Sequence, residues 1–214
     1  MASQLRQAAR PTPAIHDRAL QDLSFIRRTM EGASSFTDVP GWGLVVIGIT
    51  ALGASAIAAA QPSAARWLGV WMAEAFVGTL LGGAMMWRKM RRRVRIEGSP
   101  VFSVPARKFL LGFWPSIFAG AVLTFALIDM REMWTTGSAV PHALPGMWLL
   151  LYGVGVITAG AFSVRAVPLM GAVLIVFGTI ALLVPGISGN VMLAIGFGLL
   201  QVAFGLWIAR RHGG

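Results

Sequence analysis

Glu74 is the one charged residue set deep inside an apolar stretch, WLGVWMAEAFVGTLLGGAMMW at 67–87. A carboxylate in hydrocarbon is costly, so such a residue is a candidate for proton or cation handling. The plainer expectation is that it keeps its proton and hydrogen-bonds a neighbouring helix. Gly78 and Gly82 follow at i+4 and i+8, giving a small face that should pack against another helix. Counted from Trp67 at 1.5 Å per residue, Glu74 lies roughly 10 Å below the outer surface.

Two further polar patterns sit inside apolar stretches. Gln201 lies near the middle of 189–209, on a face with Gly198 and Gly205. Its simplest role is an interhelical hydrogen bond. Gly112, Ser116, Gly120 and Thr124 recur every fourth residue in 109–128. That spacing makes a seam for close helix packing, with Pro115 a source of a kink.

Other chemistry is absent from the sequence. The three histidines, His16, His142 and His212, all fall outside the apolar stretches, and there is no cysteine. Paired imidazoles in a membrane core, thiolate metal sites and disulfides are thereby excluded, and no cofactor or metal is expected. No P-loop, HExxH or nucleophile–base set is present. Asp129, Arg131 and Glu132 read as solvated charges at the end of a helix.

The positioning elements are six spans, at about 41–60, 67–87, 109–128, 146–163, 167–184 and 189–209. Each is close to the length a helix needs to cross a bilayer. Mean hydropathy is +0.71, and only 12% of residues are charged. An all-α, polytopic six-helix bundle follows. Residues 1–14 read as a disordered tail. A helix over 15–31, within a 15–40 interfacial segment, carries Leu20, Leu23 and Met30 on one narrow face. It should lie on the bilayer or dock a cytosolic partner. The N-terminal segment lacks the apolar core of a secretory signal.

Positive charge is sorted between alternate connections. Sixteen of the eighteen Lys and Arg residues fall in the N-tail, the second and fourth connections and the 210–214 tail. Six spans with both termini cytosolic satisfy the positive-inside rule best. The densest group is Arg88, Lys89, Arg91, Arg92, Arg93 and Arg95, followed by Arg107 and Lys108. These residues should set orientation and hold anionic lipid headgroups rather than nucleic acid. A weak internal similarity relates Pro40-Gly41…Leu44…Gly48 to Pro145-Gly146…Leu149…Gly153, and Val77-Gly78-Thr79-Leu80 to Phe177-Gly178-Thr179-Ile180. It is compatible with a 3+3 inverted repeat of the kind transporters use.

Three stretches, LQDLSFIRRTMEGASSFTDVPGWG at 20–43, LPGMWLLLYGVGVITAGAFSVRAVPLMG at 144–171 and GFGLLQVAFGLWIARRHGG at 196–214, resemble a family of uncharacterised bacterial multi-pass membrane proteins. The resemblance covers most of the chain outside 88–108. It implies a bacterial inner-membrane location and supplies no activity. In that family a histidine commonly stands where Gln201 stands here. The last hairpin resembles, more loosely, the hairpins of small acid-resistance membrane proteins. The resulting expectation is a non-enzymatic structural, regulatory or accessory subunit with a membrane or cytosolic protein partner. The alternative is a small transporter or channel using Glu74.

Overall fold

The computed structural model describes residues 20, 22–26, 39–97, 104–129, 140–161 and 163–212. The chain divides into two units, Met1–Ser34 and Ser35–Gly214. In the first, residues 20 and 22–26 are helical and Leu20, Leu23, Phe25 and Ile26 are exposed. The rest of the expected 15–31 helix, and the 1–14 tail, lie outside the described residues.

The second unit holds six helices long and apolar enough to cross a membrane. They are α1 (Gly41–Ala59), α2 (Ala64–Glu97), α3 (Val104–Asp129), α4 (Val140–Gly160), α5 (Ala166–Leu183) and α6. The last is built of Gly189–Leu193, a π-helical stretch Ala194–Leu200, and Gln201–His212. The protein is a polytopic helical bundle. Its basic end carries the α2–α3 and α4–α5 connections, and its opposite end carries the other three.

Several boundaries differ from those set by hydropathy. The basic run Arg88–Arg95 is not a loop but the helical continuation of α2, which is 34 residues long, or about 51 Å. Arginine and lysine are good helix formers, so leaving the apolar layer gives the backbone no reason to stop. Arg107 and Lys108 likewise lie in the first turns of α3. That helix continues through Pro115 without interruption. Pro145, expected just before span 4, lies inside α4.

Packing is centred on α1, α4 and α6. The α6 helix lies against both α1 and α4, α5 lies on α4, α2 on α1, and α3 on α4. Leu149, Leu174 and Leu193 are 0% exposed at the centre of one apolar cluster. The α2 and α3 spans are peripheral, with 11% and 6% of their apolar windows buried. Their outer faces are suited to lipid.

Glycine governs the two closest helix pairs. A methyl on Gly178 would lie 2.8 Å from Gly146 O and 2.7 Å from Leu150 N. A methyl on Gly205 would lie 2.7 Å from Gly41 O and 2.8 Å from Val45 N. Two turns further along, Gly153 meets Gly171 O, and Gly48 meets Gly198 O. Glycines seven residues apart thus let backbones touch in both pairs. The matching Pro-Gly segments of α1 and α4 therefore take equivalent places. Their glycine-bearing partners are α6 for α1 and α5 for α4, which is not the contiguous order of a 3+3 repeat.

Candidate functional site

Glu74 lies on the side of α2 that faces α1. Its Oε1 is 2.8 Å from Thr50 Oγ1, and the same hydroxyl is 2.9 Å from Ile47 O. Gly78 and Gly82 on the same side lie over Ile47, where an added methyl would come within 3.5 Å and 3.2 Å of its side chain. A threonine hydroxyl has one hydrogen and cannot donate to both neighbours. With Thr50 donating to Ile47 O, the Glu74 carboxyl must donate its own proton to Thr50. With Glu74 ionised, Thr50 must turn away from Ile47 O and donate to the carboxylate. The side chain is half-buried, and no Lys or Arg occupies any of the six apolar stretches.

Gln201 directly follows the π-helical stretch and is 2% exposed. Its Nε2 donates to Tyr152 Oη on α4 at 3.0 Å. Its Oε1 is buried with no hydrogen-bond partner. The Tyr152 ring is held edge-on between Phe113 of α3 and Phe197 of α6, at centroid distances of 5.5 and 5.2 Å. Neighbouring Gly198 and Gly205 turn instead to α1. A π-helical turn shifts side-chain register relative to an α-helix. Here α6 meets α4 through Leu149 packed on Gly196, and α1 through Gly198.

Gly112, Ser116, Gly120 and Thr124 all face α4. A methyl on Gly112 would lie 3.1 Å from Ala159 N, and Thr158 Oγ1 donates to Gly112 O at 2.7 Å. Ser116 Cβ would lie 3.0 Å from a methyl on Gly155. Gly120 has more room, 3.7 Å to Leu151. Thr124 Oγ1 donates to Gly120 O at 2.7 Å and accepts from Trp148 Nε1 at 2.8 Å.

A polar network centres on Asn190, a residue the sequence did not single out. Asn190 Oδ1 accepts from Trp67 Nε1 at 3.1 Å and from Trp71 Nε1 at 3.0 Å. Its Nδ2 donates to Ser55 O and Ser55 Oγ, both at 3.0 Å. One amide thus joins α1, α2 and α6 with both its donor and acceptor sides used. Trp67 stacks on Trp148 of α4 at 6.1 Å and 3°, and Trp148 bonds Thr124 of α3. Five helices are clasped at the end opposite the basic one. The available signal was a lone amide at the mouth of an apolar stretch, with two tryptophans on one face of α2.

At the basic end, Arg88, Arg91, Arg92, Arg95, Arg107 and Lys108 are exposed. Lys89 is half-buried and donates to Val39 O at 3.3 Å. Arg91 lies over the Trp87 ring at 5.5 Å, and Arg211 over Trp207 at 5.9 Å. The Arg93 side chain lies outside the described residues.

No family model, curated protein or solved structure matches this chain.

Proposed function

We propose that this is a non-enzymatic bacterial inner-membrane protein, acting as a structural, regulatory or accessory subunit of a membrane assembly. Both termini are cytosolic, and the basic end of the bundle rests among anionic headgroups. The observation that carries this reading is how the intramembrane polar groups are engaged. Glu74, Asn190, Gln201, Thr124 and Thr158 each bond to another helix. Polar side chains used this way hold helices together. The exposed arginines on the α2 extension suit phosphate oxygens, and their register beside Trp87 suits the headgroup layer.

The rival reading, a small transporter or channel, draws on the half-burial of Glu74 and on the proton alternatives at Thr50. Proteoliposome flux separates the two. The structural reading expects no proton- or cation-dependent flux above that of empty liposomes. Flux by the wild type that vanishes in a folded Glu74→Gln variant, whose amide cannot exchange a proton in the same way, makes the protein a transporter instead.

A further inference from the structure

The basic end of α2 carries its arginines as a ladder. Arg88, Arg91, Arg92 and Arg95 occupy positions i, i+3, i+4 and i+7 of one continuous helix. They therefore fall within an arc of about 100° on one face. All four are exposed. Met90 lies about 150° round the helix from the middle of that arc and is 5% exposed. Beside it, Lys89 Nζ donates to Val39 O at 3.3 Å. These two contacts fasten the foot of the extension, and the arginine face turns away from the bundle. Among the described residues, no carboxylate is paired with any of the four arginines.

Height along the helix separates these residues. Trp67 and Trp87 are about 30 Å apart along α2, which matches the hydrocarbon core, and tryptophan favours the two boundaries of that core. The headgroup layer adds about 5–7 Å on each side. Arg88 and Arg91 stand about 2 and 6 Å beyond Trp87, inside that layer. Arg91 also covers the Trp87 ring. Arg92 reaches the rim at about 8 Å, and Arg95 stands about 12 Å out. Ile96 follows at about 14 Å, beside Arg92 on the helix surface. It is 81% exposed. An apolar side chain at that height is beyond the acyl chains, so lipid does not cover it. Cations around an exposed apolar residue suit the charged rim and apolar anchor of a protein contact.

We propose, resting on the accessory-subunit reading, that Arg92, Arg95 and Ile96 form a docking face for an acidic helix of a cytosolic protein partner. Carboxylates at i, i+3, i+4 and i+7 of a second helix laid along α2 repeat at the same rise as the arginines, so several pairs form together. Each guanidinium takes a carboxylate through two parallel hydrogen bonds. An apolar residue set among those carboxylates covers Ile96. A bilayer surface ends below Ile96 and leaves it in water.

The test uses the full chain in nanodiscs of phosphatidylcholine, which bring no anionic lipid. The probes are two fluorescent helical peptides of equal composition. One carries glutamates at i, i+3, i+4 and i+7 around a leucine, and the other has the same residues scrambled. The ordered peptide should bind more tightly, with an affinity that falls as salt rises. Arg92→Gln/Arg95→Gln should weaken it about tenfold or more. Ile96→Ser should weaken it without changing the salt dependence, and Arg88→Gln/Arg91→Gln should weaken it less than the upper pair does. Wild-type protein that binds both peptides equally, or neither, overturns the proposal, and that comparison needs no variant. Equal loss of anionic-lipid retention in the two arginine double variants also overturns it, because the whole ladder is then a headgroup contact. Neither result touches the accessory-subunit reading, which proteoliposome flux tests separately.

Discussion

Gly146 and Gly178 meet backbone to backbone, and a methyl added to either would lie 2.8 Å from the carbonyl oxygen of the other. The relation recurs between Gly41 and Gly205, where the added methyl of Gly205 would lie 2.7 Å from Gly41 O. These are contacts with main-chain atoms, which cannot rotate aside as a side chain can. Gly178→Ala and Gly205→Ala should each cost about 1–3 kcal/mol, the range for overpacking a tight interior. Gly53→Ala and Gly69→Ala, whose methyls meet nothing within 4 Å, should be neutral or slightly stabilising. Thermal unfolding in detergent compares the four. Equal tolerance at all positions would remove the glycine contacts as determinants of the fold.

The α3 seam is not uniformly tight. Gly120→Ala should be well tolerated at 3.7 Å from Leu151, and Gly120→Leu should lower stability by forcing α3 off α4. Gly112→Ala should be worse than Gly120→Ala, because its methyl would sit 3.1 Å from the Thr158–Ala159 backbone. The readout is retention of a monodisperse peak after heating. A Gly120→Leu protein as stable as Gly120→Ala would mean that this face looks at lipid.

Asn190→Leu should strand the Trp67 and Trp71 indole N–H groups together with Ser55 Oγ. An average interhelical hydrogen bond in a membrane contributes about 0.6 kcal/mol. A stranded buried donor costs about 1–3 kcal/mol, so the loss should exceed that of an ordinary bond. Tryptophan emission should shift as the two indoles lose their shared acceptor. Trp67→Phe removes one bond and should show a smaller loss than Asn190→Leu. The reverse order would mean that the aromatic stack, not the amide, holds this end closed.

Reversing charge at Arg88, Arg91, Arg92 and Arg95 together should reduce retention of anionic lipid during purification, and the residual binding should weaken further with salt. Zwitterionic lipid should be unaffected. Tight, sequence-selective binding of DNA or RNA by the wild-type protein would point to a different role for these arginines.

Topology reporters placed after residues 63, 138 and 187 should report an extracytosolic position, and those after residues 98 and 214 a cytosolic one. This follows from the sixteen-to-two division of Lys and Arg. A cytosolic signal at 138 would contradict the proposed orientation.

Much of this architecture was legible in the sequence, because a bilayer imposes its thickness on every span. That constraint acts locally, so apolar runs reveal it without knowledge of neighbours. The α3 seam was readable for the same reason, since its four-residue spacing places four small residues on one face of one helix. What needed the tertiary structure were relations between distant residues. Tyr152 meets Gln201 across 49 residues, and Ser55 meets Asn190 across 135. Nothing in the local pattern at either member of a pair identifies the other. Nor did hydropathy reveal that α2 runs on to Glu97, because partition into lipid and helix formation are separate energies that part company at the membrane surface. The pairing of α1 with α6 and of α4 with α5 was decided in three dimensions as well. Glycine permits close approach to any backbone, and only the assembled bundle determines which backbone arrives.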